Sequence, residues 1–263
     1  MARLTPPRRR RLRAFMENWA LPVGTLLGAL VIWQVATKVF NVSVWLVPAP
    51  TDILAALAER RGGLAIHIWT TFYETLLGFL LAIVAGVPLA VAVVHSRVLG
   101  NAIYPLILVT QSIPKVAFAP ILLIWLGYGD LPKVLVAFLV AFFPVVVDTA
   151  TGLRSPAPQL LDLARQLSAS QLQIYAKIRF PSALPHFFSG LKVAITLAVI
   201  GAVIGEFVGS EKGLGFLVVQ STSHFKTPLA FGAMSLLALM AMVLFFAVVA
   251  VERLACPWYG RHE

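Results

Sequence analysis

Charge and cysteine are both scarce in this sequence. Charged residues fill 12% of its 263 positions, about half the share of an ordinary soluble domain, where roughly 25% is usual. With 59% hydrophobic residues and a mean hydropathy of +0.88, the chain has too little polar side chain to cover a water-facing surface and is expected to be solvated mainly by lipid. One cysteine, Cys256, excludes an internal disulfide. No pair of cysteines or histidines has metal-ligand spacing, so neither a metal nor a cofactor is expected. Signatures of catalysis are missing too. No GxxxxGK[ST] loop occurs, and in the nearest stretch, Gly209-Ser210-Glu211-Lys212-Gly213, the lysine precedes the final glycine, so the chain does not itself cradle nucleotide phosphates. There is no HExxH, no GxSxG and no pair of acids flanking a water-filled site, which argues against an enzyme. The five histidines, His67, His95, His186, His224 and His262, fall mostly at predicted interfaces.

What the sequence does have is a basic start and long apolar runs. The formal charge is +10, yet Arg3, Arg8, Arg9, Arg10, Arg11 and Arg13 all precede the first apolar run. That is the pattern of a cytoplasmic arm beside a membrane helix, and it speaks against nucleic acid as a partner. The run at 19–40 is too long for the core of a signal peptide and no small-x-small cleavage site follows it, so a retained first helix is expected. A bilayer core of about 30 Å needs roughly 20 apolar residues per crossing. Six such runs, near 19–40, 68–94, 101–126, 133–151, 187–208 and 229–251, predict an all-α integral membrane protein with six transmembrane helices. Its parts are a basic arm (1–18), the first helix (19–40), an outer segment with a short surface helix (41–67), the main transmembrane domain (68–251) and a tail (252–263).

Orientation follows from the basic residues. With the amino terminus inside, inner segments hold the six early arginines, Arg97, Arg154, Arg165, Lys177, Arg179, Arg253 and Arg261, against Lys38, Arg60, Arg61, Lys133, Lys212 and Lys226 outside. The excess inside predicts that both termini lie in the cytoplasm. In the outer segment, Thr51 or Asp52 after Pro50 reads as an N-cap for the surface helix.

Three features interrupt the apolar pattern. The third crossing contains Pro105, Pro114 and Pro120, with Gln111-Ser112-Ile113-Pro114-Lys115 at the middle break. Each proline removes a backbone donor, so freed carbonyls there must face protein or a watery cavity, either as a path lining or as a packed kink with Lys115 reaching a surface. Gly201, Gly205 and Gly209 recur every four residues in the fifth crossing, a ladder that admits another helix closely. Beside it, Glu206 is an acid inside an apolar run, and such groups face a bundle interior or a cavity. Gln111, Ser112, Pro114, Lys115 and Glu206 are the candidates for contacts along a translocation path. Glu74 and Asp148 lie nearer predicted helix ends, where interfacial exposure is expected.

The longest polar stretch follows the fourth crossing, on the cytoplasmic side. After Pro156 and Pro158, Leu160, Leu161, Ala164 and Leu167 recur at helical spacing; Ser168-Ala169-Ser170 breaks the pattern, and Leu172, Tyr175, Ala176 and Ile178 predict a second short helix ending at Pro181. Two short helices at an angle suit a groove on another protein, or else a membrane surface.

Here the residues resemble a known family. Inner-membrane subunits of binding-protein-dependent ABC importers carry, between two late transmembrane helices, a loop of the form E-A-A, three residues, G, nine residues, I-x-L-P. This chain has Asp162-Leu163-Ala164, three residues, Ser168, nine residues, then Ile178-Arg179-Phe180-Pro181, with the spacing kept in full. Asp, Leu, Ser and Phe replace the usual Glu, Ala, Gly and Leu. Gln111-Ser112-Ile113-Pro114-Lys115-Val116-Ala117, Trp125-Leu126-Gly127-Tyr128-Gly129, Phe142-Phe143-Pro144 and Gly213-Leu214-Gly215 are similar to the nitrate, sulfonate, taurine and thiamine-precursor branch, and the likeness covers about 68–251 and most of the first helix. The resemblance implies a type I importer permease fold with a cytoplasmic coupling-helix loop (about 156–185) between helices 4 and 5. It implies a small solute as cargo: an anion, sulfonate or pyrimidine precursor. As partners it implies two copies of a cytoplasmic ATP-binding subunit, a second permease copy and a periplasmic or lipid-anchored solute-binding protein. Asp162, Ala164, Leu167, Ser168, Ile178 and Pro181 would then meet the ATPase. The competing reading is an ion-coupled secondary transporter using Glu206, and a third is a passive subunit in which Glu206 only pairs with a neighbour.

Overall fold

The computed structural model describes residues 21–110 and 112–258, without the side chains of Arg97, Tyr104 and Leu108. The basic arm, Trp19, Gln111, Arg261 and His262 lie outside the described residues. Within them all regular structure is helical: α1 (Leu21–Val39), α2 (Pro50–Glu59), α3 (Arg61–His95), α4 (Arg97–Thr110), α5 (Phe118–Leu126), α6 (Asp130–Arg154), α7 (Pro158–Gln166), α8 (Gln171–Ile174), α9 (Phe180–Gly209), α10 (Leu214–Ser223) and α11 (Thr227–Ala255).

Among the described residues, five helical segments are long and apolar enough to cross a membrane: α1, α3, α6, the continuous run Gln171–Gly209, and α11. The region expected as a third crossing at 101–126 is instead two shorter helices, α4 and α5, separated by a turn and a 3-10 turn at Lys115–Ala117. Pro114 stands at the break and precedes the 3-10 turn, whereas Pro105 lies within α4 and Pro120 in the first turn of α5.

Two compact units are present. One comprises residues up to Arg61 with Ser221–Gly232. In it α1 and α2 are joined by a reciprocal pair of bonds, in which Gln34 Nε2 donates to Thr51 Oγ1 (3.2 Å) and the Thr51 N–H donates to Gln34 Oε1 (3.1 Å). The Trp33 ring meets Phe231 at 6.2 Å, and most of α1 is otherwise exposed. The N-cap of α2 is not Thr51 or Asp52 but Ala49. Pro50 takes the first helical position, where its missing N–H costs nothing, and Asp52 reaches back to accept the Ala49 N–H at 3.2 Å.

The second unit, Gly62–Gln220 with Ala233–Glu263, is built around α6. Its core combines Phe79, Val145, Phe188, Leu191, Ile195, Leu244 and Cys256. α6 and α9 pack along their lengths because α9 offers no side chain at the crossing points: a Cβ on Gly201 would lie 2.6 Å from Ala137 Cα, and one on Gly205 would lie 2.8 Å from Lys133 Cα. From the other side α3 approaches through Gly78, where a Cβ would lie 2.9 Å from the Val134 carbonyl oxygen. Between helices that share an apolar solvent, such backbone proximity supplies the dispersion contact that hydrophobic burial does not.

Candidate functional site

The i, i+4, i+7 spacing of His67, Thr71 and Glu74 puts all three on one face of α3, and this face is polar and buried. Opposite it stands Glu206 of α9. Its Oε1 accepts the Thr71 hydroxyl at 2.6 Å, and its Oε2 accepts the backbone N–H groups of Gly215 (2.5 Å) and Phe216 (3.3 Å) at the start of α10. Thr71 Oγ1 accepts the Leu214 N–H at 2.7 Å, and His67 Nδ1 lies 3.1 Å from both the amide nitrogen and the carbonyl oxygen of Gly213. Gly213 has φ +111°, a conformation closed to side chains, and a Cβ on Gly215 would come within 2.8 Å of Glu206 Oε2. The two glycines therefore let the carboxylate reach the backbone.

Glu74 corrects the expectation of interfacial exposure. It is 0% exposed and forms an ion pair with Lys133 of α6, itself 4% exposed rather than part of an outer loop. Lys133 Nζ also donates to Asp130 Oδ1 (3.1 Å) and Ser210 Oγ (3.2 Å), and the Glu74 and Glu206 carboxyl groups lie close enough to interact. α3 begins at Arg61 rather than near 68, which carries Glu74 about 20 Å along the helix at 1.5 Å per residue. His67, expected at an interface, is likewise buried. Asp148 is half-buried, its Cβ beside Gly190. The i, i+4, i+7 polar spacing inside an apolar run was the signal available for His67 and Thr71.

The loop at 155–181 is organised by its two caps. α7 starts at Pro158 in its first turn and ends in a Schellman motif: the Ala169 N–H donates to the Ala164 carbonyl (3.0 Å) and the Ser168 N–H to that of Arg165 (2.9 Å). Ser168 occupies the left-handed position with φ +58°, where glycine is usual and an L-residue costs about 1–2 kcal/mol. Ser170 then caps α8 in a capping box, its Oγ accepting the Gln173 N–H (3.3 Å) while Gln173 Oε1 accepts the Ser170 N–H (2.8 Å). The second helix does not end at Pro181. Through a π turn at Tyr175–Arg179 the chain runs directly into α9, and Pro181 lies just past that turn, inside the continuous run Gln171–Gly209. Arg179 Nη1 donates to the Leu153 carbonyl (3.1 Å) at the end of α6, and its guanidinium lies 5.2 Å from the Tyr175 ring, which itself meets His95 at the end of α3. The base of the loop is thus fastened to both helices.

The apolar residues of the loop divide in two, along lines that differ from the predicted stripe: Leu160 of that stripe is exposed, and Ile174, outside it, is buried. Ala164 and Ile174 are buried and Ile178 and Pro181 half-buried, whereas Leu163, Leu167 (75% exposed) and Leu172 (79% exposed) face outward. Asp162 is exposed and accepts Arg165 Nη1 at 2.7 Å, a surface pair worth little. Replacing Ser168 with glycine is expected to slow amide exchange at Ser168 and Ala169 several-fold, and valine, β-branched and unsuited to positive φ, to accelerate it. Equal exchange in both variants would mean the turn is unstrained.

At the break between α4 and α5, Ser112, Ile113 and Pro114 are exposed and Lys115 half-buried, its Nζ 4.5 Å from the centre of the Phe143 ring on α6. Gln111 lies outside the described residues. The structure groups Ser112, Pro114 and Lys115 at this break and places Glu206 in the polar cluster with Thr71 and the start of α10.

Comparison with known proteins agrees with this architecture. Residues 78–259 match the model of the family described as binding-protein-dependent transport system inner membrane component. A probable ABC transporter permease of Haemophilus influenzae is 35% identical over 87% of this chain and 92% of its own. The riboflavin transport system permease of Chloroflexus aurantiacus is 35% identical over 96% of this chain and 95% of its own. The formylaminopyrimidine transport permease of Halalkalibacterium halodurans is 33% identical over 90% and 95%. In fold, an inward-facing MetNI methionine ABC transporter chain superposes with a TM-score of 0.64 at 20% identity, covering 72% of this chain and 94% of that one. Through the match over 78–259 and these relatives, the chain belongs to the inner-membrane permease subunits of binding-protein-dependent ABC importers.

Proposed function

We propose that the chain forms the translocation path for a small solute and takes its driving force from a separate ATP-binding subunit that docks on residues 161–181. The observation that carries this is the outward row Leu163, Leu167 and Leu172 on a loop whose base is fastened to the ends of α3 and α6. Apolar side chains held on a rigid, angled support suit a groove on a partner, and a push on the loop is delivered to the helices that hold it. The excess of basic residues on this side supports a cytoplasmic position for the loop and both termini. Two ATPase copies, a second permease copy and an external solute-binding protein, periplasmic or lipid-anchored, complete the assembly. Ser112, Pro114 and Lys115 border the path at the α4–α5 break, with Gln111 beside them in sequence. The reading in which Glu206 carries ions is disfavoured by its three hydrogen bonds within the protein. Relatives named for formylaminopyrimidine, riboflavin, taurine and aliphatic sulfonates supply the panel of solutes.

Burying a leucine contributes about 1.5–3 kcal/mol, so Leu167→Asp with Leu172→Asp is expected to weaken ATPase binding at least tenfold, at about 1.4 kcal/mol per tenfold. Co-purification of the ATPase with the permease measures it. Undiminished co-purification with the doubly substituted chain refutes this docking surface.

A further inference from the structure

α10 begins inside the protein, with Gly213, Leu214 and Gly215 all buried. A helix that starts away from water has no solvent for its first N–H groups, and each one left unpaired is costly. Here its first three groups are taken up in turn: the Leu214 N–H by Thr71 and those of Gly215 and Phe216 by Glu206, while the His67 ring bonds Gly213 just before the helix, Nδ1 lying 3.1 Å from both its amide nitrogen and its carbonyl oxygen. An ordinary N-cap is the residue just before the helix; these acceptors come from α3, where Thr71 lies 143 residues away in sequence, and from α9.

We infer that Glu206, with Thr71 and His67, is a positioning residue for transport: it seats the start of α10 on α3 and α9, so that the four parts α3, α6, α9 and the first turn of α10 move as one body. The inference rests on the transport reading above for its functional half. α6 already joins α3 and α9 through the close approaches at Gly78, Gly201 and Gly205, and the Glu74–Lys133 pair adds a polar tie between α3 and α6. The seat binds α10 to that same set of helices, which makes α10 a fixed sill rather than a flap.

Side-chain chemistry separates seating from mere bulk. In Glu206→Gln the amide oxygen still accepts from Gly215 and Phe216, and the amide NH2 donates to Thr71 Oγ1, which is free to turn its own hydrogen toward the His67 carbonyl 3.2 Å away. Glu206→Leu keeps volume and removes every acceptor. The test uses the full permease assembled with its ATPase and binding protein in lipid nanodiscs. It reads amide exchange at 213–216 with and without ATP plus vanadate, and uptake of taurine, riboflavin and formylaminopyrimidine in proteoliposomes. Glu206→Gln is expected within twofold of the unsubstituted chain in both readouts. Glu206→Leu is expected to speed exchange at 213–216 at least 100-fold, leave α6 amides unchanged and lower uptake at least tenfold. Thr71→Val, which removes the Leu214 acceptor together with the hydroxyl that Glu206 Oε1 accepts but leaves the Gly215 and Phe216 acceptors in place, is expected to speed exchange at Leu214 and to decide the matter if Glu206→Leu does not assemble. Unchanged exchange in both variants, equal loss of protection along α6, or loss of protection at 213–216 on vanadate trapping of the unsubstituted complex overturns the seating. An unsubstituted complex that imports none of the three solutes overturns the transport reading instead, and the exchange arm still decides the seat.

Discussion

Gly201→Leu is expected to leave almost no assembled permease in the membrane. A Cβ alone would stand 2.6 Å from Ala137 Cα and 3.0 Å from the Ala137 amide nitrogen, and backbone cannot swing aside as a side chain can. Adding methylenes to a packed interior costs about 1–3 kcal/mol where neighbours can shift. Here the whole α6–α9 contact must widen, which also draws apart Gly205 and Lys133 one turn away. Gly201→Ala should lose about 1–3 kcal/mol by the same reasoning and assemble partially. Gly28 of α1, with no atom within 4 Å of its Cβ position, is the internal control: Gly28→Leu should assemble normally. Size-exclusion profiles of detergent extracts compare the three, and a monodisperse Gly201→Leu protein at normal yield would show that the helices have slack.

Lys133→Met is expected to be the most damaging change that preserves shape. Lys133 is the cation between a buried carboxyl group, Glu74, and an exposed one, Asp130. Removing one partner of a buried ion pair costs about 3–5 kcal/mol, because the other charge stays behind without compensation, whereas replacing both with apolar residues of similar volume is often neutral. Glu74→Leu combined with Lys133→Met should therefore be more stable than Lys133→Met alone. Thermal unfolding of the single and double variants gives the coupling. If the double variant is no better than the single, the pair does not hold α3 to α6.

What could be read from the sequence depended on how local the cause was. The loop at 155–181 was legible because its information is short-range: Pro158 starts a helix, Ser170 and Gln173 form a capping box, and the spacing from Asp162 to Pro181 matches a family pattern. Even there, Pro181 misled, since a proline just after a π turn inside a helical run and a proline past a last turn look alike in sequence. The glycine ladder announced a close neighbour but not which one. Glu206 stood out as an acid in an apolar run, yet its partner on α3 was invisible, because Thr71 and Glu206 are 135 residues apart in sequence and nothing local joins them. Glu74 and Lys133 were misplaced for a simpler reason. Hydropathy marks the apolar middle of a span, and α3 extends seven residues beyond the expected start at 68 toward Arg61.

α1 shows the opposite case. Apart from Trp33, Gln34 and Thr37 its side chains find little in the protein to touch, so lipid, which does not discriminate among leucine, valine and isoleucine, is the only reader of the rest. Sequence there is interchangeable in a way that it is not in α6 or α9: one glutamine, in register with Thr51, specifies where the span must stop, and any apolar spelling of the preceding turns satisfies the membrane equally well.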